Sequence, residues 1–324
     1  MMGTCEKRGL VRGRKPGRLG AVIALAGLAG LAAPVSAAVL VNEGFGDYNT
    51  DATGAPTTDA NLNANNGGTG FSTAWSAGLA TPPNVVAPTT PLSYAVTNSL
   101  AQNVGTVGGG SRALQFLNTT TADGTIVASR SFATSSNANE VWGRFLVRVD
   151  SGQVDNSDFL TLYFGNSTAN PNFNIIGGST GDFSARNGGG GQVSSPTEVG
   201  AGNIGVTTYL LVARIVKATP GAASNFTSID LWVNPVLDAG NNLTFPYVSA
   251  ALSPGVTSIG SLGIRHANLD AGDTFLMDEI VFGTAVGDVV PGAVGLNVPE
   301  PSSVLLAEAA LPLLARRRRW REVR

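Results

Sequence analysis

Apolar and polar positions alternate along the middle of this chain with the two-residue period of half-buried β-strands. In Val141–Asp150, Phe145, Val147 and Val149 fall on one face, with Arg144 and Arg148 on the other. Ser228–Asn234 repeats the pattern, setting Ile229, Leu231 and Val233 against Asp230, Trp232 and Asn234. Asp158–Gly165 and Thr207–Lys217 are apolar on both faces, which predicts central strands. Shorter runs at Val39–Phe45, Ala113–Leu117, Ile126–Phe132, Ser261–His266 and Thr274–Phe282 add further strands. Most are bounded by Gly, Asn, Pro or Asp, which suit turns for distinct steric and hydrogen-bonding reasons. No window of 11 residues in this region carries a helical stripe. Short strands in succession without helices predict an all-β sandwich or barrel rather than a parallel α/β sheet. The polar stretch Gly46–Gly70 reads as a long loop near the front.

Two continuous apolar runs break this rhythm, one towards each end. Leu19–Ala33 follows Arg12, Arg14, Lys15 and Arg18 and precedes Val35-Ser36-Ala37. A positive region, an apolar run and a small-residue site, with Val35 and Ala37 at the cleavage positions, make a secretion signal. The run is 15 residues long, short of the ~20 that a spanning helix needs. No adjacent arginine pair precedes it, which favours the general secretion route. Near the other end, Pro299-Glu300-Pro301 is followed by the apolar run Val304–Ala315 and then by Arg316, Arg317, Arg318 and Arg319. As a helix, Ser302–Ala315 reaches only about 21 Å, against a hydrocarbon core of about 30 Å. Its valine and leucines contribute about −2 to −3.5 kcal/mol to insertion. Glu308 opposes that by about +2.5 to +3.5 kcal/mol, and Pro312 weakens the helix. Insertion is therefore marginal, while the arginines hold their side in the cytoplasm. The expected organisation is a signal peptide at 1–37, a β-sandwich at 38–296 and a tail at 297–324, with helical hydrophobic segments at both termini.

Composition narrows the function. Between Val39 and Val298 there are 8 basic residues against 18 acidic, a net −10, although the whole chain stands at −2. An acidic body cannot release counterions from phosphates, so nucleic acid is excluded as a partner. The basic ends suit contact with a membrane instead. The single cysteine, Cys5, precedes the first apolar run. A processed protein then has no disulfide, thiolate metal site or cysteine nucleophile.

No catalytic residue stands out. Paired-carboxylate hydrolysis needs acids at alternate positions of one strand, and no such spacing occurs. Asp278 and Glu279 are adjacent, which on a regular strand sends them to opposite faces. His266 is the one histidine, so a multi-histidine metal site is impossible. No cofactor is expected; the candidates for a calcium site, which takes oxygen ligands, are Asp270 and Asp273. Candidate sugar platforms are Trp75 and Trp232, the latter sharing its face with Asp230 and Asn234.

Pro299-Glu300-Pro301, the apolar run and the arginine cluster, in that order, resemble the PEP-CTERM sorting domain of Gram-negative bacteria. The resemblance implies that an exosortase in the inner membrane recognises and cuts the tail. It also implies export to the cell envelope, surface or extracellular matrix after transient inner-membrane anchoring, with the secretion machinery as the first partner. Glu43-Gly44-Phe45, then Asn66–Phe71 followed by Trp75, resembles the opening of many surface proteins with such tails, and so does the order Thr207–Ile215, Asp230–Pro235, Asp278–Thr284. Such bodies look like the concanavalin A-like lectin/glucanase fold, a jelly roll of two antiparallel sheets related to laminin G modules. The resemblance implies a noncatalytic adhesive or structural protein contacting polysaccharide; the alternative is a secreted carbohydrate-active hydrolase of the same fold.

Overall fold

The computed structural model describes residues 38–46, 48, 60–77, 83–117, 126–152, 158–176, 182–187, 192–194, 207–244, 248–252, 256–270 and 272–296. The signal residues Val35 and Ala37, the sorting residues Pro299, Glu300, Pro301 and Arg316 to Arg319, and both expected terminal helices lie outside the described residues. Among those described, no helix is long and apolar enough to cross a membrane.

In chain order the early strands are β1 (Val39–Glu43), β2 (Ala60–Asn61), β3 (Ser76–Ala77), β4 (Asn84–Val86), β5 (Ser93–Thr97), β6 (Asn103–Gly108) and β7 (Ala113–Leu117). The middle strands are β8 (Ala128–Ser136), β9 (Glu140–Ser151), β10 (Phe159–Tyr163), β11 (Pro171–Ile176), β12 (Asp182–Asn187), β13 (Gln192–Ser194) and β14 (Tyr209–Lys217). There follow β15 (Phe226–Val233), β16 (Asn242–Leu243), β17 (Val248–Ala251), β18 (Ile259–Ala267), β19 (Thr274–Gly283), the one-turn helix α1 (Val286–Val289) and β20 (Gly295–Leu296).

These strands make two large antiparallel sheets. One runs β17-β15-β14-β9-β19-β7-β4-β2, with β1 also on β19; the other runs β13-β12-β11-β10-β18-β8-β3. Alternation turns Phe145, Val147 and Val149 of β9, Leu211, Ala213 and Ile215 of β14, and Phe275 and Met277 of β19 inwards. The facing sheet contributes Leu160, Leu162, Phe173, Ile175, Phe183, Leu262 and Ile264 to the same core. Aromatic pairs cross between the sheets, Phe145 on Phe173 at 5.2 Å and Phe132 on Phe282 at 5.5 Å between ring centres. The gap between sheets is filled by interdigitated side chains, as sandwich cores are.

The nine-stranded sheet is apolar on its other face as well. There Trp142, Leu146, Leu210, Val212, Trp232 and Leu276 meet Leu92, Val96 and Val107 around the β5–β6 hairpin, and Leu237, Leu243, Val286, Val289 and Val290 further along the chain. This second layer explains why Thr207–Lys217 reads as apolar on both faces: β14 is covered on both sides.

β7 and β1 lie end to end along one edge of β19. β7 pairs with Thr274–Met277 and β1 with Ile280–Gly283. At the joint β19 bulges, its register against β9 shifting between Asp278 and Val281, with Glu279 at φ 54. A bulge inserts a residue and re-aims side chains. The regular-strand expectation for Asp278 and Glu279 therefore does not hold.

Candidate functional site

The two tryptophans expected to serve as sugar platforms find their partners inside the protein. Trp75 is 2% exposed, and its Nε1 donates to Glu43 Oε2 at 3.2 Å and to the Tyr48 hydroxyl at 2.9 Å. Trp232 does share the outward face of β15 with Asp230, but that face is the covered one. Its ring stacks on Trp142 at 5.4 Å and its Nε1 donates to the Thr244 carbonyl at 2.8 Å. Asp230 accepts from Arg214 Nη2 at 2.8 Å and from Ser249 Oγ at 2.7 Å. Asn234, at φ 47, accepts from the Leu210 amide at 2.8 Å. The four residues share no open surface. Asp270 and Asp273 close one turn: Asp273 Oδ2 accepts from the Asp270 amide at 2.7 Å. Among the described residues no three His, Cys, Asp or Glu side chains are grouped to hold a metal. His266 is 2% exposed and packs edge-on against Phe116 at 5.0 Å.

The buried charges form two clusters. In the first, Glu43 Oε2 accepts from Arg130 Nη1 at 2.7 Å and from the Tyr48 hydroxyl at 2.5 Å, and Glu43 Oε1 accepts from the Phe45 amide at 3.1 Å. Burial raises the Glu43 carboxyl above its ordinary value, against these hydrogen bonds and the Arg130 charge, which lower it. Arg130 also donates to the Gly67 and Thr73 carbonyls at 2.6 and 2.7 Å and to Asn66 Oδ1 at 2.6 Å, and it lies 3.9 Å over the Phe71 ring. The Asn66–Trp75 segment is thereby pinned to β8 and β1, and the cluster is structural. The second cluster sits at the joint in β19. Asp278 is fully buried and its Oδ1 accepts from the Glu279 amide at 2.7 Å. Its carboxyl is pushed up to about 8, by burial first and then by the Glu279 charge. Glu279 pairs with Arg144 at 3.1 Å, and Arg144 also donates to the Val289 carbonyl at 2.8 Å.

A third arrangement is of another kind. On the outward face of the seven-stranded sheet, β10 presents Thr161 and Tyr163, β11 presents Asn172 and Asn174, and β12 presents Ser184 and Arg186. The register lines them up in rows: Thr161 opposite Asn174 and Asn174 opposite Ser184, then Tyr163 opposite Asn172 and Asn172 opposite Arg186. Arg265 extends the first row beside Thr161, its guanidinium 4.5 Å over the ring of Phe159. Neither apolar cluster includes any of these residues. Thr161, Tyr163, Asn172, Asn174 and Ser184 are buried. Ser184 donates to Asn174 Oδ1, and Asn172 Nδ2 donates to the Asn170 carbonyl at 3.3 Å. Thr161 Oγ1, Tyr163 OH, Asn172 Oδ1, Asn174 Nδ2 and Arg186 Nε have no hydrogen-bond partner among the described residues. Buried polar atoms are nearly always paired, so five orphans on one face call for a physical reason. The set mixes donors (Asn174 Nδ2, Arg186 Nε), an acceptor (Asn172 Oδ1) and two hydroxyls that do both.

Sequence reasoning missed this face. Thr161 and Tyr163 are hidden in an apolar run, and Asn discourages a strand assignment for β11. The signal that finds it is a polar residue at every second place in successive short segments, Asn172-x-Asn174 and Ser184-x-Arg186.

The chain matches no protein-family model and no curated protein. Among solved structures it is similar to the binding domain of botulinum neurotoxin serotype G, with 8% identity and a TM-score of 0.35, over 62% of this chain and 43% of that one. A carbohydrate esterase from a Shiga toxin-encoding bacteriophage shares 11% identity at a TM-score of 0.39, over 76% of this chain and 98% of that one. The globular domain of T. cruzi calreticulin shares 10% at 0.37, over 78% and 90%. At these values the likenesses carry no inference about activity, and the two-sheet sandwich described above stands on its own strand pairing.

Proposed function

We propose that this is an exported, noncatalytic surface protein, adhesive or structural, that contacts polysaccharide, with a jelly-roll body. The observation that carries the reading is the order along one chain of a secretion signal, a two-sheet β-sandwich and a Pro-Glu-Pro tail with its arginine cluster. Export rests on the ordered signals at the two ends, which name the secretion machinery and an exosortase-type enzyme as processing partners. The destination is then the envelope, the cell surface or the matrix.

A glycan array with the purified protein tests the binding reading. Binding is expected, and silence across the array would refute the polysaccharide reading. Intact mass of the protein recovered from cells tests processing at both ends, and incubation with β-glucans should leave their chain length unchanged.

A further inference from the structure

We infer that the joint in β19 is a calcium site, built from the carboxylates of Asp278 and Glu279 and the main chain beside Gly44 and Gly110. It is independent of the polysaccharide reading.

Three segments from distant parts of the chain converge there. Gly44 follows β1, Gly110 lies between β6 and β7, and Asp278 and Glu279 occupy the bulge of β19. Because β1 and β7 meet end to end at this bulge, two carboxylates come to lie beside two glycine turns. Asp278 is fully buried, and its Oδ1 accepts from the Glu279 amide at 2.7 Å. Its Oδ2 is buried with no hydrogen-bond partner among the described residues. Gly110 shows where that oxygen lies. A Cβ at Gly110 would stand 3.9 Å from Asp278 Oδ2 and 4.0 Å from the Gly44 carbonyl oxygen, and among the described residues nothing else beyond its chain neighbours comes within 4 Å. A Cβ at Gly44 would in turn stand 3.5 Å from Glu279 Oε1, while Glu279 Oε2 pairs with Arg144. Three oxygens from three segments therefore border two positions that carry no side chain.

The rim of this place reaches solvent. Gly44 and Gly110 are half-buried, Gly109 is exposed, and the Glu279 side chain is 21% exposed. An ion has a route to Asp278 between turns that carry no side chains. The protein's own cations nearby are already held: Arg144 by Glu279 and the Val289 carbonyl, Arg130 by Glu43. The donors are all oxygens, which select a hard cation over a transition metal. Calcium accepts carboxylates, main-chain carbonyls and water together in an adaptable shell, so two acidic side chains suffice. Magnesium demands a near-ideal octahedron and gives up its water reluctantly. Bound calcium would tie the end of β1 and the approach to β7 to the bulge of β19.

The test uses the full protein stripped with a chelator, with calcium chloride titrated back above pH 8, where the Asp278 carboxyl is ionised. Calorimetry is expected to show one site with a Kd of about 10⁻⁴ to 10⁻³ M, the range of extracellular modules. The unfolding midpoint should rise as calcium exceeds that value, and magnesium should bind at least about tenfold more weakly. Asp278→Asn should weaken calcium binding at least about tenfold. Gly110→Ala should do the same by placing a methyl group between the two oxygens; that methyl makes only ordinary contacts in the metal-free fold, so its unfolding midpoint without calcium should be unchanged. Asp273→Asn, in the separate Asp270–Asp273 turn, should bind calcium like the parent. No heat and no shift in midpoint at about 10 mM calcium, well above the expected Kd, overturns the inference. So does calcium binding that survives both Asp278→Asn and Gly110→Ala, or that is lost in Asp273→Asn.

Discussion

Replacing Glu43 by Ala should be among the most damaging single changes in this protein. Glu43 is fully buried and Arg130 is 3% exposed, so the change strands a guanidinium in the interior. It also removes the acceptor used by Tyr48 OH at 2.5 Å, Trp75 Nε1 at 3.2 Å and the Phe45 amide at 3.1 Å. Breaking a buried pair from one side costs about 3–5 kcal/mol. A domain of this kind has about 5–15 kcal/mol in total, so about a fifth of the margin or more goes. Urea unfolding followed by tryptophan fluorescence measures it, and Trp75 reports from inside the cluster. The midpoint should fall with the slope unchanged. The double variant Glu43→Leu, Arg130→Met removes both charges, and its cost should be well below the sum of the single changes, a coupling of about 3 kcal/mol. Amide exchange should rise in the segment 66–73, because Arg130 no longer has a fixed charge to hold it over Gly67 and Thr73. A loss under about 1 kcal/mol for Glu43→Ala, or strict additivity in the double variant, would refute the argument that this pair holds the front segment.

The remaining predictions concern the joint, the polar face and one glycine. The Asp278 carboxyl stands at about 8 in the fold against an ordinary 3.8, so the native state keeps a proton that the unfolded chain has released. Stability from this group is complete below 3.8 and is lost as pH rises through about 8, at up to about 1.4 kcal/mol per pH unit; Asp278→Asn should flatten that slope in melts taken between about pH 5 and 9. Thr161→Val removes an unpartnered buried hydroxyl and should stabilise the protein by about 1 kcal/mol in chemical unfolding. Gly70→Ala should destabilise by at least about 1–3 kcal/mol, because φ is +83 and the added Cβ would fall 2.0 Å from the Leu40 carbonyl oxygen; calorimetric melting checks it.

Much of the sandwich was legible because burial enforces alternation. Val141–Asp150 became the core of β9, Thr207–Lys217 became β14 and Ser228–Asn234 became most of β15. The face assignments of Phe145, Val147 and Val149 also hold. What alternation could not tell was whether an outward face is open. Trp232, Asp230 and Asn234 share a polar-looking face, yet a second layer from the β5–β6 hairpin and the α1 region covers it. That layer comes from distant segments, and no local pattern announces it. The bulge at Asp278–Glu279 escaped for a related reason: it exists because two other strands, β1 and β7, meet end to end along β19. Arg130 reaching across to Glu43 is likewise a pairing over 87 residues.

The two sheets therefore stand in different relations to their polar residues. Both faces of the nine-stranded sheet are apolar contact surfaces, and most polar groups that reach its outer side find partners within the protein: Asp230 in Arg214 and Ser249, Asn234 in the Leu210 amide, Arg144 in Glu279 and Val289, while Trp142 Nε1, Arg144 Nε and Asp278 Oδ2 have none among the described residues. The seven-stranded sheet spends only one face on the core. On the other, five polar atoms stay unsatisfied among the described residues. At about 1–3 kcal/mol each, their combined cost is comparable to the whole folding margin of about 5–15 kcal/mol. Turn-forming or solubilising roles do not explain them, since they lie in mid-strand, in register across β10, β11 and β12, and are buried. Thr161, Tyr163, Asn172 and Asn174 are fully buried, so the penalty falls on the fold itself and should be relieved by apolar substitution, with Thr161→Val and Tyr163→Phe together raising the melting temperature.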